Sequence, residues 1–209
     1  MTHILLTRHG ETEWNSIGRV QGWTDIPLSP LGHAQAAALA GRLRHHPVAA
    51  VYASDLSRAV QTAAPAAEAL GLRVQTLPGL REKGYGDWEG LTRIDLERDY
   101  AALWHRYHTL RDLEAVVPGG ETWPQVCERM EGVLSEILAA HPGNEEMVLV
   151  VGHGGSARAL VLAALQAPLP TLLRLHLDNA SLSRLDFKER ADSRVVFLND
   201  TGHLAGVTA

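Results

Sequence analysis

The sequence contains one cysteine in 209 residues, Cys127, which excludes an internal disulfide framework and suits a reducing compartment. No stretch approaches the roughly 18 consecutive apolar residues that a membrane-spanning helix needs. Met1-Thr2-His3-Ile4-Leu5-Leu6 lacks both the basic flank and the full apolar core of a signal peptide. A strong excess of charge is also missing: the net charge is −5 and the isoelectric point about 6.1, which argues against broad binding to nucleic acid or acidic membranes. There is no Gly-x-x-x-x-Gly-Lys-Ser/Thr loop, Gly-x-Gly-x-x-Gly, His-Glu-x-x-His or Gly-x-Ser-x-Gly, and no internal repeat or low-complexity tract. What is present is 45% hydrophobic and 21% charged residues, the balance of a folded globular core. These numbers predict a single soluble, cytoplasmic domain over residues 1–209 with no membrane or nucleic-acid partner.

Apolar runs alternate with helix-like segments along the chain, the signature of an α/β sheet. Ile4–Thr7, Val48–Ala53 and Met147–Val151 are continuous apolar runs, as in strands covered on both faces. Leu72–Leu77 is a weaker fourth, and Leu182–Phe187 and Arg194–Leu198 are predicted near one sheet edge. Ser29-Pro30 reads as an N-cap followed by proline at the first helical position, opening a helix to about Arg44. A second helix starts near Asp55, and Pro65 inside it predicts a kink or early break. Thr122 to about Ala140 is amphipathic, with Val126, Met130, Val133, Leu134, Ile137 and Leu138 on one face. A further helix is predicted from Ser156 to about Leu165, after the glycine pair. Residues 91–118 read as a helical insertion over one end of the sheet.

Three strand–helix units each deliver a cationic or polar group at a strand's carboxyl end: Arg8 and His9, then Arg58, then His153. Ligands of open α/β sheets bind outside those ends, where helix N-termini also offer free N–H groups to anions. Taken singly, each residue has an ordinary alternative as a solvated or paired side chain. Together, two arginines and two histidines describe a phosphate or carboxylate site. Gly10 would let the backbone turn sharply and approach a ligand. His45-His46 diverge on a helix and read as solvated; Cys127, off the main apolar face, reads as an inert thiol.

These residues fall within a longer ordered set. It comprises Thr7-Arg8-His9-Gly10-Glu11-Thr12 with Asn15, Gln21-Gly22, Leu28-Ser29, Ser54 to Ala63, Leu80 to Gly90, Gly120-Glu121-Thr122 and Val151 to Gly155. In this pattern the chain resembles the histidine phosphatase superfamily, the phosphoglycerate mutase-like family, over nearly its whole length. The resemblance implies a three-layer α/β/α fold with a mostly parallel central sheet. It also implies that His9 is a nucleophile forming a phosphohistidine, that Glu82 is the proton donor, and that Arg8, Arg58 and His153 are catalytic. Arg8, Asn15, Gln21, Gly22, Arg58, His153 and Gly154 match its phosphate- and substrate-binding positions, and neither metal nor cofactor is implied. From the residues alone, Glu82 is not separable from Asp87 or Glu89, all three reading equally as a solvated acidic loop.

Three activities are then open: a metal-independent phosphatase of small phosphate esters, a cofactor-dependent phosphoglycerate mutase, and an idle module that binds phosphorylated ligands. Retention of both His9 and Glu82 counts against the third. The interval Lys83 to Gly119 is compact, and its bases Arg93, Arg98, Arg106 and Arg111 are matched by Asp95, Glu97, Asp99, Asp112 and Glu114, which reads as an ion-paired surface rather than a second phosphate site. Asn179-Ala180-Ser181-Leu182 and Asn199 to Leu204 look like the phosphatase branch, which is therefore the expectation. Tyr85, Trp88, Trp104, His105 and His108 are candidates to contact the leaving group, with Trp14 and Trp23 as pocket walls.

Overall fold

The computed structural model describes residues 1–143 and 145–208. In chain order it contains β1 (Thr2–Arg8), a short α1 (Glu13–Ser16), α2 (Pro30–Leu43), β2 (Val48–Ala53), α3 (Ser57–Ala69) and β3 (Val74–Thr76). Then come α4 (Arg93–Asp99), α5 (Ala101–Trp104) running into a π-helical turn (His105–Thr109), and α6 (Trp123–Ala140). The chain continues through β4 (Glu146–Gly152), α7 (Gly154–Leu165), β5 (Leu182–Glu189) and β6 (Asp192–Asp200).

The six strands form one sheet in the order β3-β2-β4-β1-β5-β6. Strands β1 to β4 are mutually parallel, whereas β5 pairs antiparallel with β1, and β6 with β5. Helices cover both faces, as the sequence predicts, and this explains the continuous apolar runs in the middle of the central strands. Ile4 and Leu6 of β1, Tyr52 of β2, and Val148 and Val150 of β4 pack with α6 and α7. The alternate residues Leu5, Val51, Leu149 and Val151 pack with α2 and α3. Side chains alternate across a strand, so each strand contributes to two cores. Each fully buried Leu, Ile or Val stabilises the fold by roughly 1.5–3 kcal/mol.

Helix starts follow the expected capping. The Ser29 hydroxyl accepts the Gly32 N–H ahead of Pro30, and Thr122 and Gln125 form a reciprocal capping box at α6. Two expectations need correction. Of the kink or early break expected at Pro65, the break is absent: helix α3 continues to Ala69; Ala63, Ala66 and Ala67 on either side of the proline are buried against the sheet, and that packing outweighs the hydrogen bond that proline deletes. Helix α7 begins at Gly154, not Ser156, because the glycine pair forms its first turn, where side-chain-free positions let neighbouring groups come close.

Candidate active site

The register of the sheet sets the site. Arg8 at the end of β1 lies opposite Gly152 at the end of β4, and the His9 N–H donates to the Gly152 carbonyl at 2.9 Å. His9 and His153 therefore leave adjacent parallel strands side by side, with ring centroids 5.1 Å apart. On the other side of β4, β2 ends level with it, so the first turn of α3 brings Arg58 to the same place. Its Nε donates to His153 Nδ1 at 3.1 Å, and its terminal nitrogens donate to the carbonyls of Thr24 (2.9 Å) and Gly22 (2.7 Å). The structure thus brings the four strand-end residues together.

These contacts decide the tautomers. A carbonyl can only accept, so His9 Nδ1, 2.6 Å from the Gly10 carbonyl, carries the proton and Nε2 keeps its lone pair. A guanidinium can only donate, so His153 Nδ1 accepts from Arg58 and the neutral ring carries its proton on Nε2. Both rings are buried, and burial together with the positive charges of Arg58 and Arg8 holds both well below the ordinary 6.5 of an imidazole. Burial also lowers Arg8, and brings Arg58 to about 10, which leaves both charged at neutral pH. Arg8 Nε and His153 Nε2 are buried with no hydrogen-bond partner among the described residues. Buried donors of that kind are costly unless something accepts from them, and a phosphoryl group is a set of such acceptors.

Glu82 reaches the site from a segment that belongs to no strand. Its Oε1 accepts the N–H groups of Lys83 (2.8 Å) and Ser156 (3.1 Å), and its Oε2 that of Gly155 (2.9 Å). The acid therefore rests on the N-terminus of α7. A Cβ on Gly155 would stand 2.3 Å from Glu82 Oε1, so only glycine allows this approach. The three loop carboxylates that the sequence left equivalent now separate. Asp87 is exposed, and Glu89 is consumed in holding the backbone of Trp23, Thr24 and Tyr85.

A cavity of about 250 Å³ opens on this group, lined by Arg8, His9, Asn15, Gln21, Gly22, Arg58 and Glu82 on one side and by Tyr85, Trp88, Trp104 and Tyr107 on the other. Gly154 lines an adjoining cavity with Arg8, Glu82 and Arg158. Of the other aromatic candidates, His108 lines a third cavity beyond Tyr85, and His105 is exposed on the π-helical turn. Trp14 is not a wall; its ring lies under the Arg19 guanidinium. Trp23 donates its indole N–H to the Glu82 carbonyl. Gly10 is also required by packing: a Cβ there would come within 2.6 Å of the Gly32 carbonyl on α2.

Several residues to which the sequence analysis assigned no contact role support the site. Asn179 donates to the His9 carbonyl at 2.9 Å and Ala180 N–H to that of Arg8 at 2.9 Å, which fixes the His9 backbone beyond the strand end. Thr62 accepts the Gly10 N–H. Lys83 is fully buried with Nζ lacking a hydrogen-bond partner among the described residues; it lies 4.6, 5.6 and 5.8 Å from the rings of Tyr85, Tyr107 and Trp123. Burial brings it to about 8, against the opposing pull of Glu121 and Glu82. Apart from Lys83 over the Tyr85 ring, no local motif signals these contacts, because they join segments far apart in the chain.

The histidine phosphatase superfamily (branch 1) profile matches residues 4–201. The chain belongs to that superfamily. Among relatives, a bifunctional protein of Mycobacterium tuberculosis is 39% identical over 204 residues, 97% of this chain and 55% of that protein. This histidine phosphatase chain thus spans about half the length of that relative. A protein named probable phosphoglycerate mutase from Yersinia pestis is 36% identical over 208 residues, covering 98% of this chain and 95% of that one. Among solved structures, a mycobacterial glucosyl-3-phosphoglycerate phosphatase superposes with a TM-score of 0.87 at 32% identity, over 95% and 99% of the two chains. The α-ribazole phosphatase of Shigella flexneri superposes at 0.86 with 26% identity, over 95% and 96%. Both of these solved structures are of phosphatases. No helix among the described residues is long and apolar enough to cross a membrane.

Proposed function

We propose that this histidine phosphatase is a metal-independent phosphomonoesterase of small phosphorylated metabolites, working through a phosphohistidine on His9. The observation that carries the reading is the pair of ring contacts, His9 Nδ1 to the Gly10 carbonyl and Arg58 Nε to His153 Nδ1, with the two rings 5.1 Å apart; by donor and acceptor chemistry they leave a lone pair on His9 Nε2 and an N–H on His153 Nε2. In the first step His9 Nε2 attacks phosphorus, the ester P–O bond breaks, and the leaving oxygen takes a proton from Glu82. In the second, water attacks phosphorus and passes a proton to Glu82, the P–N bond breaks, and inorganic phosphate leaves with His9 neutral again. Oε1 of Glu82 already accepts two N–H groups and Oε2 one, so Oε2 has the free lone pair and is the atom that exchanges the proton. Arg8 and Arg58 neutralise the charge spread over the phosphoryl oxygens of a loose transition state, with Asn15, Gln21, Gly22 and Gly154 completing the cradle. Desolvation keeps the nucleophile unprotonated while the arginines hold it ready.

The ion pairs Arg93–Glu97, Arg98–Asp95 and Arg106–Asp112 support hydrolysis over mutase activity, because those three bases are already matched. Arg111, also expected to be matched, has no ion pair among the described residues and lines the cavity beyond Tyr85 with Arg158. The Yersinia relative's name keeps the mutase reading as the alternative. The test is phosphate release from p-nitrophenyl phosphate and 3-phosphoglycerate in the presence of chelator, with His9→Ala alongside. Release by the wild type alone is expected. Turnover by His9→Ala, or activity that requires added metal, contradicts the mechanism. Isomerisation of phosphoglycerate primed by the bisphosphate, without hydrolysis, establishes the mutase.

A further inference from the structure

The segment that carries Glu82 has no sheet neighbour, so its backbone carbonyls need donors from elsewhere, since a buried carbonyl without one is costly. From Gly79, inside the 3₁₀ turn Pro78–Leu80, to Glu82, four consecutive carbonyls receive side-chain donors. Arg129 Nη1 donates to Gly79 O at 2.6 Å and to Arg81 O at 2.8 Å. Ser156 Oγ donates to Leu80 O at 3.2 Å. Trp23 Nε1 and Arg129 Nη2 donate to Glu82 O at 2.7 and 3.3 Å. Arg129 is held in turn by Glu121, whose carboxylate takes Nε at 3.1 Å and Nη2 at 2.8 Å. All five N–H groups of the guanidinium are thereby used, three of them on this one segment. Glu121 completes the frame, accepting the Gly84 N–H at 2.8 Å and donating its own to the Gly84 carbonyl at 2.8 Å. Arg129 itself does not line the cavity that holds His9.

We infer that Arg129, braced by Glu121, is a positioning residue for the proton donor: it sets the height of Glu82 above His9 by gripping the backbone on both sides of the acid. The inference rests on the proposed phosphatase reading, in which Glu82 protonates the leaving oxygen. The grip needs the planar fork. Lysine at the same position offers three donors from one point and cannot span Gly79, Arg81, Glu82 and Glu121 together. Displacing an acid by about 1 Å costs up to 10²-fold in rate, and the loss falls only on esters whose leaving group needs a proton.

The experiment compares kcat/KM for p-nitrophenyl phosphate and for an alkyl phosphate such as glycerol phosphate, in wild type, Glu82→Gln, Arg129→Met, Arg129→Lys and Glu121→Gln. The quotient kcat/KM reports the step that forms the phosphoenzyme, so water attack does not enter. Arg129→Met is expected to lose roughly 10- to 100-fold on the alkyl ester and no more than about threefold on the aryl ester, whose phenolate leaves unaided. Arg129→Lys and Glu121→Gln are expected to fall between it and the wild type with the same selectivity, and they carry the test if Arg129→Met does not fold. A role confined to general stability would lower the active fraction and reduce both esters by the same factor; that result, or no loss on either, overturns the inference. Glu82→Gln separates the two levels: if it is selective and the Arg129 and Glu121 variants are not, only the positioning role falls. If Glu82→Gln itself loses equally on both esters, the proton-donor reading falls and the inference with it.

Discussion

The buried Lys83 ammonium makes a quantitative prediction. Each factor of ten in proton affinity corresponds to about 1.4 kcal/mol. Moving the group from its ordinary 10.5 to about 8 therefore means that folding disfavours the charged form by roughly 3 kcal/mol. The rings of Tyr85, Tyr107 and Trp123 attract the cation and return part of this, about 1–2 kcal/mol for a desolvated contact. Lys83→Met, which keeps the length of the chain and removes the charge, is expected to stabilise the protein at pH 7 by about 1–2 kcal/mol. For a chain of this size that raises the melting temperature by roughly 2–8 °C. The sign with pH follows from proton counting. The folded lysine loses its proton at lower pH than the unfolded one, so wild-type stability rises relative to the variant at alkaline pH and the gap has closed by about 10.5. Urea unfolding at pH 7, 8.5 and 10 in both proteins measures this. A variant less stable than wild type at pH 7, by an amount unchanged up to pH 10, would refute the reasoning and mean that attraction to the three rings outweighs the cost of burying the charge.

Two further outcomes test the site directly. His9 and His153 are held neutral well below 6.5, so the unfolded chain takes up protons that the folded one refuses as pH falls through 6.5; stability is expected to drop on acidification, and His9→Gln to drop less steeply, in urea midpoints at pH 7.5, 6.5 and 5.5. An identical slope in the two proteins contradicts a depressed His9. Gly155→Ala pushes a methyl into Glu82 Oε1 and is expected to cost about tenfold or more in kcat/KM on an alkyl phosphate; wild-type activity there would mean that the acid works from another position.

The sheet, its helices on both faces and the convergence of Arg8, His9, Arg58 and His153 were legible because they depend on local sequence. Continuous apolar runs specify doubly covered strands, and a group placed one or two residues beyond a parallel strand's end must face the same crevice as its counterparts. Pro65 misled because proline's local penalty says nothing about the alanines buried on either side of it. The choice of Glu82 over Asp87 and Glu89 was not local either. It came from the resemblance, and the contacts that distinguish the three carboxylates are made by Gly155, Ser156, Trp23 and Thr24.

Which elements form, which of their faces are buried and which strand ends carry cations were thus written into short stretches of chain, since periodicity and strand-end position are local properties. The lone pair on each histidine, the carboxylate that meets α7, and the placement of Lys83 and Arg129 behind the site came only with the folded arrangement. Apart from the adjacent Gly10 carbonyl that sets the His9 ring, those outcomes depend on hydrogen bonds and burial made by residues tens of positions away.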